Sequence, residues 1–154
     1  MDIRIREATF EDLNFLYKIE LECFGDESFS REQVKQCLLL PNFVTLVALL
    51  DGELVGFITG FVSNCAGKLS GHVYTLDVKR NQRGKGVGSK LLSKFEEKML
   101  EKGVNAVYLE VRVDNVSAKK LYFKHSYKPF KMLKDYYGQG VNGLRLKKTL
   151  VLHP

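Results

Sequence analysis

No apolar run in this sequence approaches the roughly 18 residues that a membrane-spanning helix needs. The first residues, MDIRIREATF, mix charges and lack the apolar stretch of a signal peptide, so export is not expected and the cytoplasm is the expected compartment. Cysteines are few: Cys23, Cys37 and Cys65 are odd in number and form no CxxC pair. That spacing argues against a disulfide framework or a zinc site and suits reduced cysteines used as small apolar residues. No internal repeat, low-complexity tract or Pro/Ser-rich linker interrupts the chain. Its 154 residues, 45% hydrophobic and 27% charged, therefore read as one globular domain spanning 1–154.

Charge is present but unevenly placed. Residues 1–78 hold 6 Lys/Arg against 12 Asp/Glu, whereas residues 79–154 hold 18 against 6. The net +6 thus hides an acidic first half and a basic second half. Such asymmetry points to a polyanion meeting the second half, either a nucleic acid or a phosphorylated cofactor.

Periodicity orders the chain. Residues 2–7 alternate like a half-buried strand, and Thr9 stands before a helical pattern of Phe10, Leu13, Leu16, Tyr17 and Ile19. After the loop FGDESF, Ser30 and Gln33 form a capping-box pattern ahead of a second helix ending near Leu40. FVTLVALL and LVGFITGFVS flank Asp51-Gly52 as a hairpin, and an irregular loop NCAGKLSG is expected before the strand HVYTLDVK. A glycine turn then leads into a helix closed by Gly103. AVYLEVRV reads as a strand, Asn115 caps a short helix, and the tail forms a last hairpin around GQGVNG. The order β-α-α-β-β-β-α-β-α-β-β predicts an α/β fold. It implies a mixed, mostly antiparallel sheet of about seven strands with about four helices. The helix between HVYTLDVK and AVYLEVRV lets those two strands run parallel as a βαβ unit.

The richest local signal is Arg83-Gly84-Lys85-Gly86-Val87-Gly88 between a strand and a helix. It matches neither a Walker A loop nor GxGxxG, since the third glycine of the latter would fall at Ser89. What remains is a helix N-terminus with unpaired N–H groups and the positive charge of Arg83, Lys85 and Lys90 around it, suited to an anion, or an ordinary solvated turn.

R-x-x-G-x-G, here Arg83, Gly86 and Gly88 after a strand, resembles motif A of the GNAT acyltransferases. Downstream, LEVRVDNVSAKKLYFKHSYKPF is similar to the signature of the RimI-like and archaeal N-terminal acetyltransferase branch, as are GHVYTLDV and Tyr136-Tyr137. The resemblance spans nearly the whole chain. It implies transfer of an acetyl group from acetyl-CoA, without a metal, to the free α-amino group of a peptide or protein.

The resemblance also assigns residues. It puts the cofactor pyrophosphate on Arg83, Gly84, Lys85, Gly86, Val87, Gly88 and Ser89, and the pantetheine arm along the peptide groups of Leu76 and Val78, with Asn115 and Tyr122. It makes Glu110 the general base, Tyr122 the general acid for the leaving thiolate, and His72 an assistant in proton removal. Asp26 or Glu27 would border the substrate N-terminus, and Tyr136 and Tyr137 would hold the substrate backbone. Each has a plainer alternative: Glu110 as a strand carboxylate paired with a cation, Tyr122 as a core aromatic, His72 as a structural histidine, Asp26 and Glu27 as solvated or helix-capping groups.

Three departures from the branch stand out. The loop FGDESF lacks its usual proline, and Val141-Asn142-Gly143-Leu144 replaces a commonly acidic stretch. Asp77 also stands where the branch more usually has a small apolar residue, which leaves it facing substrate or pairing with a lysine.

Chemistry narrows the acceptor. A model α-amino group titrates near 7.8 and a lysine side chain near 10.4, so neutralising lysine at pH 7 costs roughly 3.5 kcal/mol more. A weak base therefore suits an N-terminal acceptor better than a lysine side chain or a polyamine, the alternatives within the fold. A different class, a basic nucleic-acid-binding module, rests on Lys119, Lys120, Lys124, Lys128, Lys131 and Lys134 among Tyr122, Phe123, Tyr127 and Phe130. The acetyltransferase motifs claim several of the same aromatics, so direct nucleic-acid binding ranks second. Positive charge beyond the cofactor's need suits an acidic surface such as a ribosome.

Overall fold

The computed structural model describes residues 2–151. Its strands form a seven-stranded mixed sheet in the order β1-β2-β3-β4-β5-β7-β6. The strands are β1 (Ile3–Glu7), β2 (Phe43–Leu50), β3 (Glu53–Cys65), β4 (Lys68–Val78), β5 (Ala106–Arg112), β6 (Lys128–Leu133) and β7 (Gly143–Thr149). The helices are α1 (Leu13–Phe24), α2 (Arg31–Leu39), α3 (Val87–Glu101) and α4 (Val116–Lys124). Element order and the parallel pairing of β4 with β5 agree with the sequence expectation.

Two compact units make up the chain, Met1–Phe61 with Tyr74–Lys98 and Val62–Val73 with Met99–Pro154. In the first, β1, β2 and the start of β3 pair antiparallel, and Leu13, Leu16 and Ile19 of α1 pack with Val34, Val47 and Phe57. Spacing of three residues puts Leu13, Leu16 and Ile19 on one stripe, and each fully buried side chain contributes about 1.5–3 kcal/mol. In the second unit, β5 pairs with β7 from Ala106↔Thr149 to Arg112↔Gly143, and β7 pairs with β6.

Three local expectations are corrected. Thr9 leads into a short 3-10 turn, Phe10–Asp12, before α1 begins; Asp12 accepts from the Thr9 backbone N–H (2.8 Å) and from Arg6 (2.9 Å). The expected loop NCAGKLSG is a tight hairpin: β3 runs to Cys65 and β4 starts at Lys68. Ala66 and Gly67 both take positive φ (52° and 84°), and Asn64 Oδ1 accepts from the Gly67 N–H at 2.9 Å. An alanine in the left-handed region hides that turn from a reading that relies on Asn-Gly or Asp-Gly pairs. The third is Lys90, whose ammonium donates to the Ile3 carbonyl at 3.0 Å rather than to the glycine turn.

Among the described residues, no helix is long and apolar enough to cross a membrane, and no group of His, Cys, Asp and Glu is arranged to hold a metal ion.

Candidate active site

The glycine turn lies between β4 and α3. Gly84 and Gly86 take φ of 77° and 86°, with open space where a Cβ would stand. Left-handed backbone at both positions costs glycine little and any other residue about 1 kcal/mol or more. The first helical bond of α3 runs from Lys90 N to Gly86 O (3.1 Å), which leaves the N–H groups ahead of it at the positive end of the helix dipole. Lys85 donates to Gln82 at 2.7 Å, and Arg83 turns back to the Val78 carbonyl (3.0 Å) and to Cys23 Sγ (3.4 Å). An open cradle of glycine backbone beside a helix N-terminus and cationic side chains fits a phosphate-bearing group.

In the same unit, Asp77 of β4 and Glu20 of α1 form a buried acid pair. Asp77 and Glu20 are each 1% exposed. Thr75 Oγ1 lies 2.6 Å from Asp77 Oδ1 and 3.2 Å from Glu20 Oε1. One hydroxyl hydrogen cannot serve both carboxyls at once. Burial first, then the neighbouring Glu20 carboxyl, pushes Asp77 well above the usual carboxylate range. Asp77 Oδ2 has no hydrogen-bond partner. The residue is thus buried and pairs with no lysine among the described residues, which excludes one of the two roles the sequence suggested. Glu20 also accepts from the Phe29 N–H at 2.9 Å, and the Phe29 ring stacks on Tyr74 at 4.2 Å. These contacts tie down the far end of the segment that carries Asp26 and Glu27, both exposed on a 3-10 turn, Gly25–Glu27. Burial also pushes the thiols of Cys23 and Cys37 up to about 11.

In the second unit, Glu110 of β5 is the centre of a polar cluster. Its side chain is 11% exposed, with Oε1 at 2.7 Å from His72 Nε2 and Oε2 at 2.8 Å from Arg145 Nε. Burial alone would raise the carboxyl; hydrogen bonds and charge from His72 and Arg145 outweigh it and hold Glu110 below the usual carboxylate range. An ionised carboxylate only accepts, so His72 Nε2 carries the hydrogen of that bond. Glu110 in turn raises Arg145, which also interacts with Tyr136. The cation pairing expected of a structural glutamate is thus present, with His72 as a second partner.

Tyr136 and Tyr137 meet edge-on at 4.9 Å, before β7. Tyr122 of α4 is 8% exposed and packs edge-on to Tyr127 at 6.0 Å. Asn115 caps α4, its Oδ1 accepting from the Ala118 N–H at 3.2 Å. Of the residues singled out from sequence, His72 meets Glu110, and Glu110 and Tyr136 share the Arg145 guanidinium. Arg145 itself escaped the sequence reading because only the β5–β7 register sets it opposite Glu110. Glu20 had left a signal, since it falls four residues after Leu16 on the buried stripe of α1.

A strand–glycine turn–helix on a mixed sheet, with its cradle suited to a phosphate-bearing group, is the arrangement of the class of acyl-CoA-dependent transferases. The match to known proteins is specific: residues 10–127 fit the acetyltransferase (GNAT) family, to which this chain belongs. The chain is 32% identical to an uncharacterized N-acetyltransferase of Methanocaldococcus jannaschii over 94% of its own length and 90% of that protein. It is also 32% identical to an N-alpha-acetyltransferase of Saccharolobus solfataricus, covering 97% and 94%. Among solved structures, Ard1 from Thermoplasma volcanium matches with a TM-score of 0.86 and 26% identity, covering 99% of this chain and all (100%) of that one.

Proposed function

We propose that residues 1–154 act as one catalytic domain that moves an acetyl group from acetyl-CoA to the free α-amino group of a peptide or protein. The observation that carries this reading is Glu110, a half-buried carboxylate kept ionised by His72 and Arg145. An ionised but weak base suits an acceptor that is already partly neutral at pH 7, as an α-amine near 7.8 is and a lysine near 10.4 is not. The 32% identical N-alpha-acetyltransferase supports the same acceptor.

Acetyl-CoA supplies the activated acyl group as co-substrate. Residues Arg83 to Ser89 take its pyrophosphate, on the evidence of the open left-handed glycines and the helix N-terminus. The peptide groups of Leu76 and Val78 hold the pantetheine arm, as does Asn115. In this mechanism Glu110, acting through water with His72 beside it, receives the proton that the amine loses as its nitrogen bonds to the carbonyl carbon. Tyr122 donates its phenolic proton to the sulfur as the C–S bond breaks. Tyr136 and Tyr137 hold the substrate backbone, and Asp26 and Glu27 border its N-terminus.

Incubation with acetyl-CoA and a library of peptides with free N-termini tests the reading. Wild type should acetylate α-amines, and Glu110→Gln and Tyr122→Phe should each lower kcat by about 10²–10⁴-fold. Unchanged turnover in both variants would refute the two roles, and acetylation of lysine or polyamines alone would refute the acceptor.

A further inference from the structure

The face of the sheet that bears Glu110 does not stop there. Residues directly opposite on paired strands share a face, so register extends the cluster sideways. One row runs Glu110, Arg145, Lys131, and the next runs His72, Tyr108, Lys147, Lys128. Side-chain contacts agree with the rows. Phe130, at a bulge of β6, meets Tyr108 edge-on at 5.4 Å, and Lys147 Nζ lies 5.5 Å from the Tyr108 ring centre and 5.4 Å from that of Phe130.

This outer strip is unbalanced in charge. Lys128 stands opposite Lys147, and Lys131 opposite Arg145, so cation faces cation in both rows. Like charges placed directly opposite destabilise a sheet. Glu110 is already engaged by His72 and Arg145, and no carboxylate among the described residues pairs with Lys128, Lys131 or Lys147. From Val116 to Thr149 the chain has 9 Lys/Arg and one acid, Asp135. Phe130 is 56% exposed, and Lys128 and Lys131 are exposed beside it. An aromatic floor with three uncompensated ammonium groups is built to meet carboxylates.

We propose that this strip binds acidic side chains of the substrate polypeptide downstream of its N-terminus, and so selects which N-termini are acetylated. The proposal rests on the reading of Glu110 as the base at the acceptor amine. From β5 to β6 is two strand spacings, about 10 Å, and an extended peptide advances about 3.3 Å per residue. Carboxylates at about the third to fifth substrate residues therefore reach Lys147, Lys128 and Lys131 when the amine is at Glu110. Polypeptide is favoured over nucleic acid because the rows begin at the catalytic carboxylate, so the chain being acetylated is itself the continuous occupant.

The test uses peptides identical in their first two residues, with Asp/Glu, Ser or Lys at positions three to five. Wild type should show kcat/KM about tenfold or more higher for the acidic series than for the basic one, mostly through KM, and the ratio should shrink as salt rises. In the double variant Lys128→Glu/Lys131→Glu the ratio should fall to one or invert. Equal kcat/KM for acidic and basic series in wild type would overturn the proposal. Fluorescence anisotropy with labelled acidic peptide and with a short single-stranded RNA gives a readout independent of turnover. Salt-sensitive binding of the peptide that the double variant loses upholds the strip even if no peptide is acetylated, in which case only the Glu110 reading fails. Binding of RNA with indifference to peptide charge would overturn the proposal and assign the strip to nucleic acid.

Discussion

Arg145 Nε donates to Glu110 Oε2 at 2.8 Å across the β5–β7 ladder, from a strand 35 residues further along the chain. The pair settles the ionisation state of the only strand carboxylate in LEVR. It also opposes the first physical force on that group, since burial pushes Glu110 up while Arg145 and His72 pull it down.

Removing Arg145 should therefore reverse the shift. In Arg145→Gln, burial is left to compete with His72 alone, and the Glu110 carboxyl should titrate higher than in wild type. Carbon-13 titration of the Glu110 carboxyl reads this directly. An unchanged midpoint would show that Arg145 does not govern the charge of Glu110.

The same pair has a stability signature. Glu110 is depressed when folded, so it contributes stability above its unfolded value, near 4.5, and loses that contribution as pH falls through the lower folded value. Denaturant unfolding of wild type and Glu110→Gln should thus differ at pH 7 and converge as pH falls through the folded value. A constant difference between pH 7 and pH 3 would contradict it.

Asp77 has the opposite sign. Its folded carboxyl is raised, so the folded chain binds a proton that the unfolded chain releases near 3.9, and this site's contribution falls as pH rises from there. Asp77→Asn removes the titration and supplies amide hydrogens toward Thr75 and Glu20. Its gain at pH 8 should be about 1 kcal/mol, about 2–4 °C in Tm, and should be smaller at pH 5. A melting series over that range checks it; a variant less stable than wild type at pH 8 would show that the acid form does needed structural work.

Gly86→Ala should act on the turn alone. Open space around the position means no clash, but φ of 86° strains any Cβ-bearing residue by about 1 kcal/mol. The expected result is a several-fold higher KM for acetyl-CoA with an almost unchanged KM for peptide. Equal effects on both would indicate that the turn does not hold the acyl donor.

Local chemistry was well expressed in the sequence. Alternating apolar residues gave the strands, Ser30 with Gln33 and Asn115 gave two helix caps, and Asp51-Gly52 gave a hairpin turn with φ of 51° and 85°. Each depends on neighbours within four residues, which is the range over which periodicity and capping speak. The Ala66-Gly67 turn was missed within that same range, because alanine is a poor signal for left-handed backbone.

By itself, then, the sequence determined the element order, the glycine turn and the motif residues Glu110, Tyr122 and Asn115. Tertiary structure alone decided which groups set their chemistry: Arg145 on Glu110, Glu20 on Asp77, and Lys128 opposite Lys147. The physical reason is register. A shift of one residue along β7 would turn Arg145 to the other face, and no local pattern of charge or hydrophobicity states which residue of a distant strand stands opposite.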